Sequence, residues 1–420
     1  MKLVAAGLGL AMLLTPSAGF AQTPPATTGG DAPYPYPFLL VDSPPHYFTM
    51  REIDVNYLTG FRLFASYLNT HTRPAVSFLI QGAASLMLLK TMTHEEAHQS
   101  VLTAQGIDAG SRVFLFMPRA GFVDGVADAT LENLRDTAFP TFIRLHTAGF
   151  ESDFMLAWRE EGLLSFEHEP FRNLAVDYLL RKFAIVNYFT EGYFRRNSDG
   201  AEEPDELDRD VVGNDLYSAI RHLYRPDMPY YRYTRFQDLT DEEHQFLDRV
   251  QKRTFLNLAN LNLAGMSGFQ LREGLRANIG MAHCMGPFGD FIDERFWLAW
   301  RDRWHVSGYV REFENEHHWF MGGGAGVEDV HLLRHLTSSA TVHFWQQPAG
   351  LSFTSPVARE GGAVDIDARY WLISRPGARV SSMAIDVGVL GKTAGFLPEE
   401  MALNAHVGLR VGMTIGLRGN

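Results

Sequence analysis

From about residue 340 the hydrophobic period of this chain becomes two, and that change limits the fold more than any other feature. Leu403, Ala405, Val407, Leu409, Val411, Met413, Ile415 and Leu417 occupy one parity. Asn404, His406, Gly408, Arg410, Gly412, Thr414 and Gly416 occupy the other. Val364, Ile366, Ala368, Tyr370 and Leu372 alternate in the same way with Asp365, Asp367 and Arg369, and Val342 and Phe344 flank His343. Successive side chains of a strand point to opposite faces, so residues 340–420 are expected to form an antiparallel sheet of five or six strands with one face buried.

Upstream the period is helical. Apolar residues recur at helix spacing over Val55 to Leu68, Ala75 to Gln105, Ala129 to Leu145, Phe154 to Leu164 and Phe171 to Phe194. Gly106 ends the second of these as a C-terminal glycine would. Val113 to Met117 and Gly121 to Val126 read as short strands around Pro118, suited to hold an extended substrate by backbone hydrogen bonds. Thr240-Asp241-Glu242-Glu243 is a capping box, so a helix should begin there and run to about Asn260. Helical pattern continues over Leu271 to Met281 and Phe291 to Trp304. The glycines of 321–326 read as a hinge, with His331 and His335 on a short helix beyond it. The expected class is α+β, a mainly helical body followed by a C-terminal antiparallel sheet. Its segments are a helical domain over 47–198, an acidic loop over 199–210, a helical lobe over 211–320, a hinge with a short helix over 321–339, and the β region over 340–420.

The chemistry concentrates in His94-Glu95-Glu96-Ala97-His98. On a helix, positions i and i+4 share a face, so His94 and His98 can offer two imidazole nitrogens to one ion. Glu95 lies about 100° round from His94, within reach of a water at that ion without being a ligand. The uncharged run from Ala75 to Leu89 leads into the motif without proline, and a long buried helix would hold such a site rigidly.

Over about residues 75–158 the chain resembles the HExxH zinc metallopeptidases. The gluzincin branch of that class takes its third ligand from a glutamate on a later helix. Glu151 in His146-Thr147-Ala148-Gly149-Phe150-Glu151-Ser152-Asp153 fits that role by type, and Asp153 could orient a ligand from behind. A second, weaker resemblance is to the site-2 proteases. There an apolar helix carries the motif, a glycine follows, as Gly106 does here, and a hairpin comes next. The nearest match to their aspartate motif is Gly213-Asn214-Asp215, without the surroundings of that family. Asp124, Asp153 and Asp215 stay open as alternatives to Glu151. The resemblance implies zinc as cofactor, Glu95 as general base and a protein or peptide substrate.

Lys2, the apolar run Leu3 to Leu14 and the small residues before Gln22 read as a signal peptide over 1–21, so the protein is expected in the periplasm or cell envelope. Seven prolines between Thr23 and Pro45 suggest a tether over 22–46. Cys284 is the single cysteine, which excludes an intramolecular disulfide, and its apolar neighbours suggest a buried inert thiol. A net charge of −12 argues against nucleic acid or anionic lipid head groups as the main partner. Seven acidic residues between Asp199 and Asp210 read as a solvated loop. Arginines interleaved with tyrosines over 224–235 read as packing over a neighbouring helix.

Membrane association could arise through the apolar helix 75–89 or through the C-terminal strands, whose length suits an outer-membrane barrel. The final strand lacks an aromatic girdle, the chain ends in Gly419-Asn420, and five or six strands fall short of the smallest barrel at about eight. The expectation is therefore a sheet packed on the helical body. The competing functional reading is a non-catalytic envelope or outer-membrane binding protein in which HEEAH is structural.

Overall fold

The computed structural model describes residues 34–43, 48–86, 90–113, 121–194, 203–301, 303–375 and 378–417. The signal peptide, the tether as far as residue 33 and residues 114–117 of the expected first hairpin strand lie outside these. In chain order the elements begin with strand β1 (Tyr36–Ser43) and helices α1 (Met50–His71), α2 (Pro74–Ala84) and α3 (Lys90–Ala104). The hairpin β2 (Gly110–Val113) and β3 (Gly121–Asp124) follows, then α4 (Asp128–Thr137), α5 (Phe139–Ser165), α6 (Phe171–Phe194), α7 (Asp215–Tyr224) and α8 (Asp241–Arg253). The remaining strands are β4 (Phe269–Arg272), β5 (Leu275–Gly286), β6 (Gly289–Trp300), β7 (Trp304–Glu314), β8 (Trp319–Leu333), β9 (Leu336–Pro348), β10 (Ala358–Ser374), β11 (Val380–Lys392) and β12 (His406–Leu417). The class is α+β, helices first and an antiparallel sheet after them.

The sheet has ten strands, not five or six, in the order β1-β12-β11-β10-β9-β8-β7-β6-β5-β4. It begins near residue 269, so the helical lobe expected over 211–320 ends at Arg253 and two 3-10 turns, and both later helical patterns are strands. Period counting failed there because polar residues face inward. Asp293, Arg295 and Arg311 are buried on β6 and β7, and an apolar tally assigns them to solvent. The glycines of 321–326 are mid-strand in β8. A Cβ on Gly323 would stand 2.8 Å from the Tyr309 carbonyl oxygen and 3.1 Å from the Phe344 ring. Cross-strand neighbours, not hinge motion, require glycine there. His331 lies on β8 and His335 in the hairpin turn after it, so neither is helical. Tyr36–Ser43, within the expected tether, pairs with β12.

Capping signals located the start of α8 and the end of α3. In α8 the Thr240 hydroxyl accepts from the Glu243 amide at 3.3 Å, and the Glu243 carboxylate accepts from the Thr240 amide at 2.8 Å. Gly106 has φ +70°, and the Ile107 amide donates back to the Leu102 carbonyl at 3.0 Å, closing α3. Of the expected helix from Ala75 to Gln105, α2 and α3 cover most of the described residues while 87–89 lie outside them, and the described part of the apolar run is not buried. Val76, Phe78, Leu79, Ile80 and Leu86 are exposed.

The 27-residue α5 is the central element, buried along nearly all its length from Phe142 to Ser165. It packs on α3, α4, α6 and α7 on the helical side and against β5 and β6 on the sheet side. On the sheet side charges meet charges. The Glu161 carboxylate accepts from Arg295 of β6 at 2.8 Å and lies 2.5 Å from the Lys182 ammonium of α6. Arg311 and Asp293 pair across β7 and β6 at 2.6 and 2.8 Å.

Thr240→Ala should lower stability by about 1 kcal/mol, the usual worth of an N-cap, because the hydroxyl that accepts from the Glu243 amide is lost while the backbone amide at 240 still donates to the Glu243 carboxylate. Urea denaturation of the purified protein measures it, and an unchanged midpoint would show that the cap adds nothing here.

Candidate metal centre

Three helices converge on one point. Along α3, His94 and His98 lie one turn apart and face α5. The fit depends on Gly149 of α5, where a Cβ would stand 2.3–2.5 Å from atoms of the His94 ring. Only glycine lets the imidazole lie on the α5 backbone. One turn earlier, the Leu145 carbonyl accepts from His98 Nδ1 at 2.6 Å, which makes Nδ1 the protonated nitrogen and leaves Nε2 as the donor atom toward the centre.

Asp215 comes from the first turn of α7. Gly213, at φ +64°, turns the chain, and Asn214 caps the helix by accepting from the Tyr217 amide at 3.0 Å. The amide end of α7 favours a carboxylate at this position. Asp215 Oδ2 lies 3.0 Å from His94 Nε2 and 3.4 Å from His98 Nε2. The ligating atoms of His94, His98 and Asp215 all fall within 4.8 Å of one another, and all three residues are buried. Behind His94, Asp153 Oδ2 stands 3.5 Å from Nδ1, while the other Asp153 oxygen accepts from Arg181 at 2.5 Å. A carboxylate behind a ligating imidazole fixes its tautomer and orientation, the place expected for Asp153.

Glu151 is elsewhere. Its carboxylate is gripped by Arg144 at 2.5 and 3.0 Å and accepts from the Glu399 amide at 2.6 Å. Among the acids left open by sequence, Asp215 is the one seated between the two imidazoles, and it replaces Glu151 as the candidate third ligand. Asp124 pairs with Arg112 at 2.7 Å. Glu95 is buried beside the hairpin, where a Cβ on Gly121 of β3 would meet its Cγ at 2.7 Å, and its charge is felt at His98. The β3 edge is not free for a substrate strand at its middle, since the Val123 carbonyl accepts from the Val211 amide at 2.8 Å.

The electrostatics are those of a buried cluster in which carboxylate and imidazole support each other's charge. Burial disfavours ionised Asp215, but the positive charge of His98 and hydrogen bonds from both imidazoles outweigh it, holding the carboxyl far below the usual carboxylate range. Burial likewise opposes a charged His98, and Asp215 overcomes it, raising the imidazole above its ordinary value. Asp210, not singled out by sequence, is pushed up to about 7 by burial and then by the charge of Asp215. His146 on α5 and His222 on α7 stack with ring centroids 5.8 Å apart, and burial lowers His146 to about 3. Spacing to HEEAH could not single these out, because they reach the centre only through helix packing. No family model matches the chain, and neither a curated protein nor a solved structure is detectably similar to it.

Two substitutions separate the site from its scaffold. Glu151→Ala strands the Arg144 guanidinium and should cost about 3–5 kcal/mol of stability while leaving metal content unchanged. Gly149→Ala should do the reverse, displacing His94 and weakening metal binding with a smaller loss of stability. Chemical denaturation and elemental analysis of both variants give the answer; loss of metal in Glu151→Ala alone would restore Glu151 to the ligand set.

Proposed function

We propose that this chain is an exported zinc-dependent hydrolase acting on protein or peptide substrates, with His94, His98 and Asp215 as protein ligands and Glu95 as general base. One observation carries the reading: two imidazole nitrogens and a carboxylate from separate helices converge in a buried place, with Asp153 behind one imidazole and a backbone carbonyl behind the other. Two nitrogens and one oxygen suit tetrahedral zinc with a fourth position left for water or substrate. An aspartate as third ligand favours the site-2 protease resemblance over the gluzincin one.

A zinc ion held there would supply Lewis acidity to a water or a carbonyl oxygen. The chain's own residues do the rest. His98 keeps its proton on Nδ1 by donating to Leu145, so Nε2 stays available as a donor atom. Glu95, adjacent in sequence to His94 and not claimed as a ligand, takes the proton of the attacking water and delivers it to the leaving amine. The short apolar run after Lys2 supports export.

A second reading has its own observation. Asp215 stands at hydrogen-bond distance from His94 and close to His98, so a protonated His98 beside Asp215 forms a self-sufficient ion pair without any metal. HEEAH is then structural.

Elemental analysis of the purified protein distinguishes the two. The hydrolase reading expects about one zinc per chain, lost in His94→Ala and strongly weakened in Asp215→Asn. Glu95→Gln should keep the zinc and lose hydrolysis of a casein or peptide-library substrate by roughly a hundredfold or more. A folded, metal-free wild-type protein leaves the ion pair; full turnover by Glu95→Gln removes the proposed mechanism.

A further inference from the structure

The polarity of the sheet is inverted relative to that of a soluble sandwich. On β12 the alternating apolar positions point away from the body, with Val407 and Leu409 exposed, while Gly408, Arg410, Gly412 and Thr414 are buried. The same holds on three neighbouring strands. Val342 and Phe344 of β9, Val364, Ile366, Tyr370 and Leu372 of β10, and Ile385, Val387 and Val389 of β11 are all exposed.

Pairing lines these residues up in rows. Val342 lies opposite Val364. Ile366 lies opposite Val389, and Val389 opposite Leu409. Tyr370 lies opposite Ile385, and Ile385 opposite Met413. The inner rows are charged and mutually satisfied. Arg410 donates to Asp365 and Asp367, each at 2.9 Å, and Arg369 donates to Asp386 at 2.7 Å and Asp329 at 3.1 Å.

We infer that this face is seated in the acyl-chain region of a phospholipid bilayer, and the inference does not rest on the metal centre. Lipid, rather than a protein partner, follows from the extent of the apolar surface. Exposed apolar side chains occur not only on β9–β12 but also on Ile279 of β5, seven strands from β12 and four from β9, the former about 34 Å along the sheet at 4.8 Å per strand. Exposed apolar side chains also occur on α2, at Val76, Phe78, Leu79 and Ile80. A belt this broad fits a continuous apolar medium, whereas one protein partner covers about 800 Å² on one side.

The strands are also long enough. β9 to β12 have 13, 17, 13 and 12 residues, against about 9–11 needed to cross hydrocarbon at a 45° tilt. Ten strands remove the objection that the sheet is smaller than the smallest barrel.

An open sheet in lipid must have its edges satisfied, and the body meets β1 at one end and the part of β5 that runs beyond the four-residue β4 at the other. At β1, the Asn56 side chain of α1 accepts from the Leu39 amide at 2.9 Å and donates to the Leu39 carbonyl at 2.8 Å, and Thr59 donates to the Pro37 carbonyl. At the other end, the Met281 amide of β5 donates to the Ala259 carbonyl at 2.9 Å, and Asn260 bridges to Gly280. Helices α1, α2 and α6 pack in series from β1 toward the segment that meets β5, and exposed apolar α2 lies in that series.

The test folds the full chain from urea into phosphatidylcholine vesicles. Cys284 is buried, so Ile366→Cys, Val389→Cys and Leu409→Cys each add one accessible thiol for an environment-sensitive fluorophore, with Asp241→Cys, at the exposed start of α8, as control. Vesicles carrying nitroxide-labelled lipid should quench the three sheet labels and spare the control, while aqueous iodide does the opposite. Val389→Arg should reduce the vesicle-bound fraction by roughly tenfold or more, the cost of an arginine at mid-bilayer. The inference is overturned if iodide quenches the sheet labels, if the chain stays soluble and monomeric without detergent or lipid, or if the labels are buried in a dimer that forms without vesicles. An unchanged bound fraction for Val389→Arg would equally remove it.

Discussion

The rest of the structure depends on charge held between the helices and the inner face of the sheet. Arg295 and Lys182 converge on Glu161, Arg159 pairs with Glu399, and Arg144 pairs with Glu151, all with little or no exposure on the acidic side. Each of these acids would be costly to bury alone, and each is matched by a guanidinium or ammonium from another element or another turn. Because pairs of this kind tolerate little displacement, they set how the helical body sits against the strands. Apolar contacts fill the space between them, as where Phe154 of α5 meets Phe291 of β6 edge to face.

Helix α5 carries both functions of that interface. Toward the sheet it presents Arg159 and Glu161; toward α3 and α7 it presents the Leu145 carbonyl, Gly149 and Asp153. The His94–His98–Asp215 cluster therefore inherits its rigidity from the same helix that the sheet holds in place. Glu151 belongs to the scaffold in this arrangement. Held by Arg144 two turns earlier on the same helix, it ties α5 to the amide of Glu399, near the chain leading into β12, and so steadies the helix that carries Gly149 and Asp153.

Sequence reading succeeded where the cause is local. That His94 and His98 share a face is legible because four residues are about one helical turn, and the capping box at Thr240 because its two bonds close within three residues. It failed where the cause lies across the fold. Glu151 and Asp215 are both acids after a glycine, and only packing shows that Arg144 claims one while the imidazoles receive the other. The glycines of β8 resemble a hinge until the Tyr309 carbonyl and the Phe344 ring are seen on either side.

The alternation of residues 340–420 determined by itself that strands would form and which residues would share a face, since parity along a strand is a property of the backbone. It did not determine which face would be inside. That was decided when Arg410, Asp365, Arg369 and Asp386 closed their ion pairs within one another's reach, leaving the apolar parity outward. In the same way the sequence determined that two imidazoles would share a helix face, while the tertiary packing of α7 against α3 and α5 decided that Asp215 would meet them. The physical reason is common to both. Periodicity is written in neighbouring residues, but the partner of a buried charge is chosen by whatever distant segment the fold brings within about 3 Å.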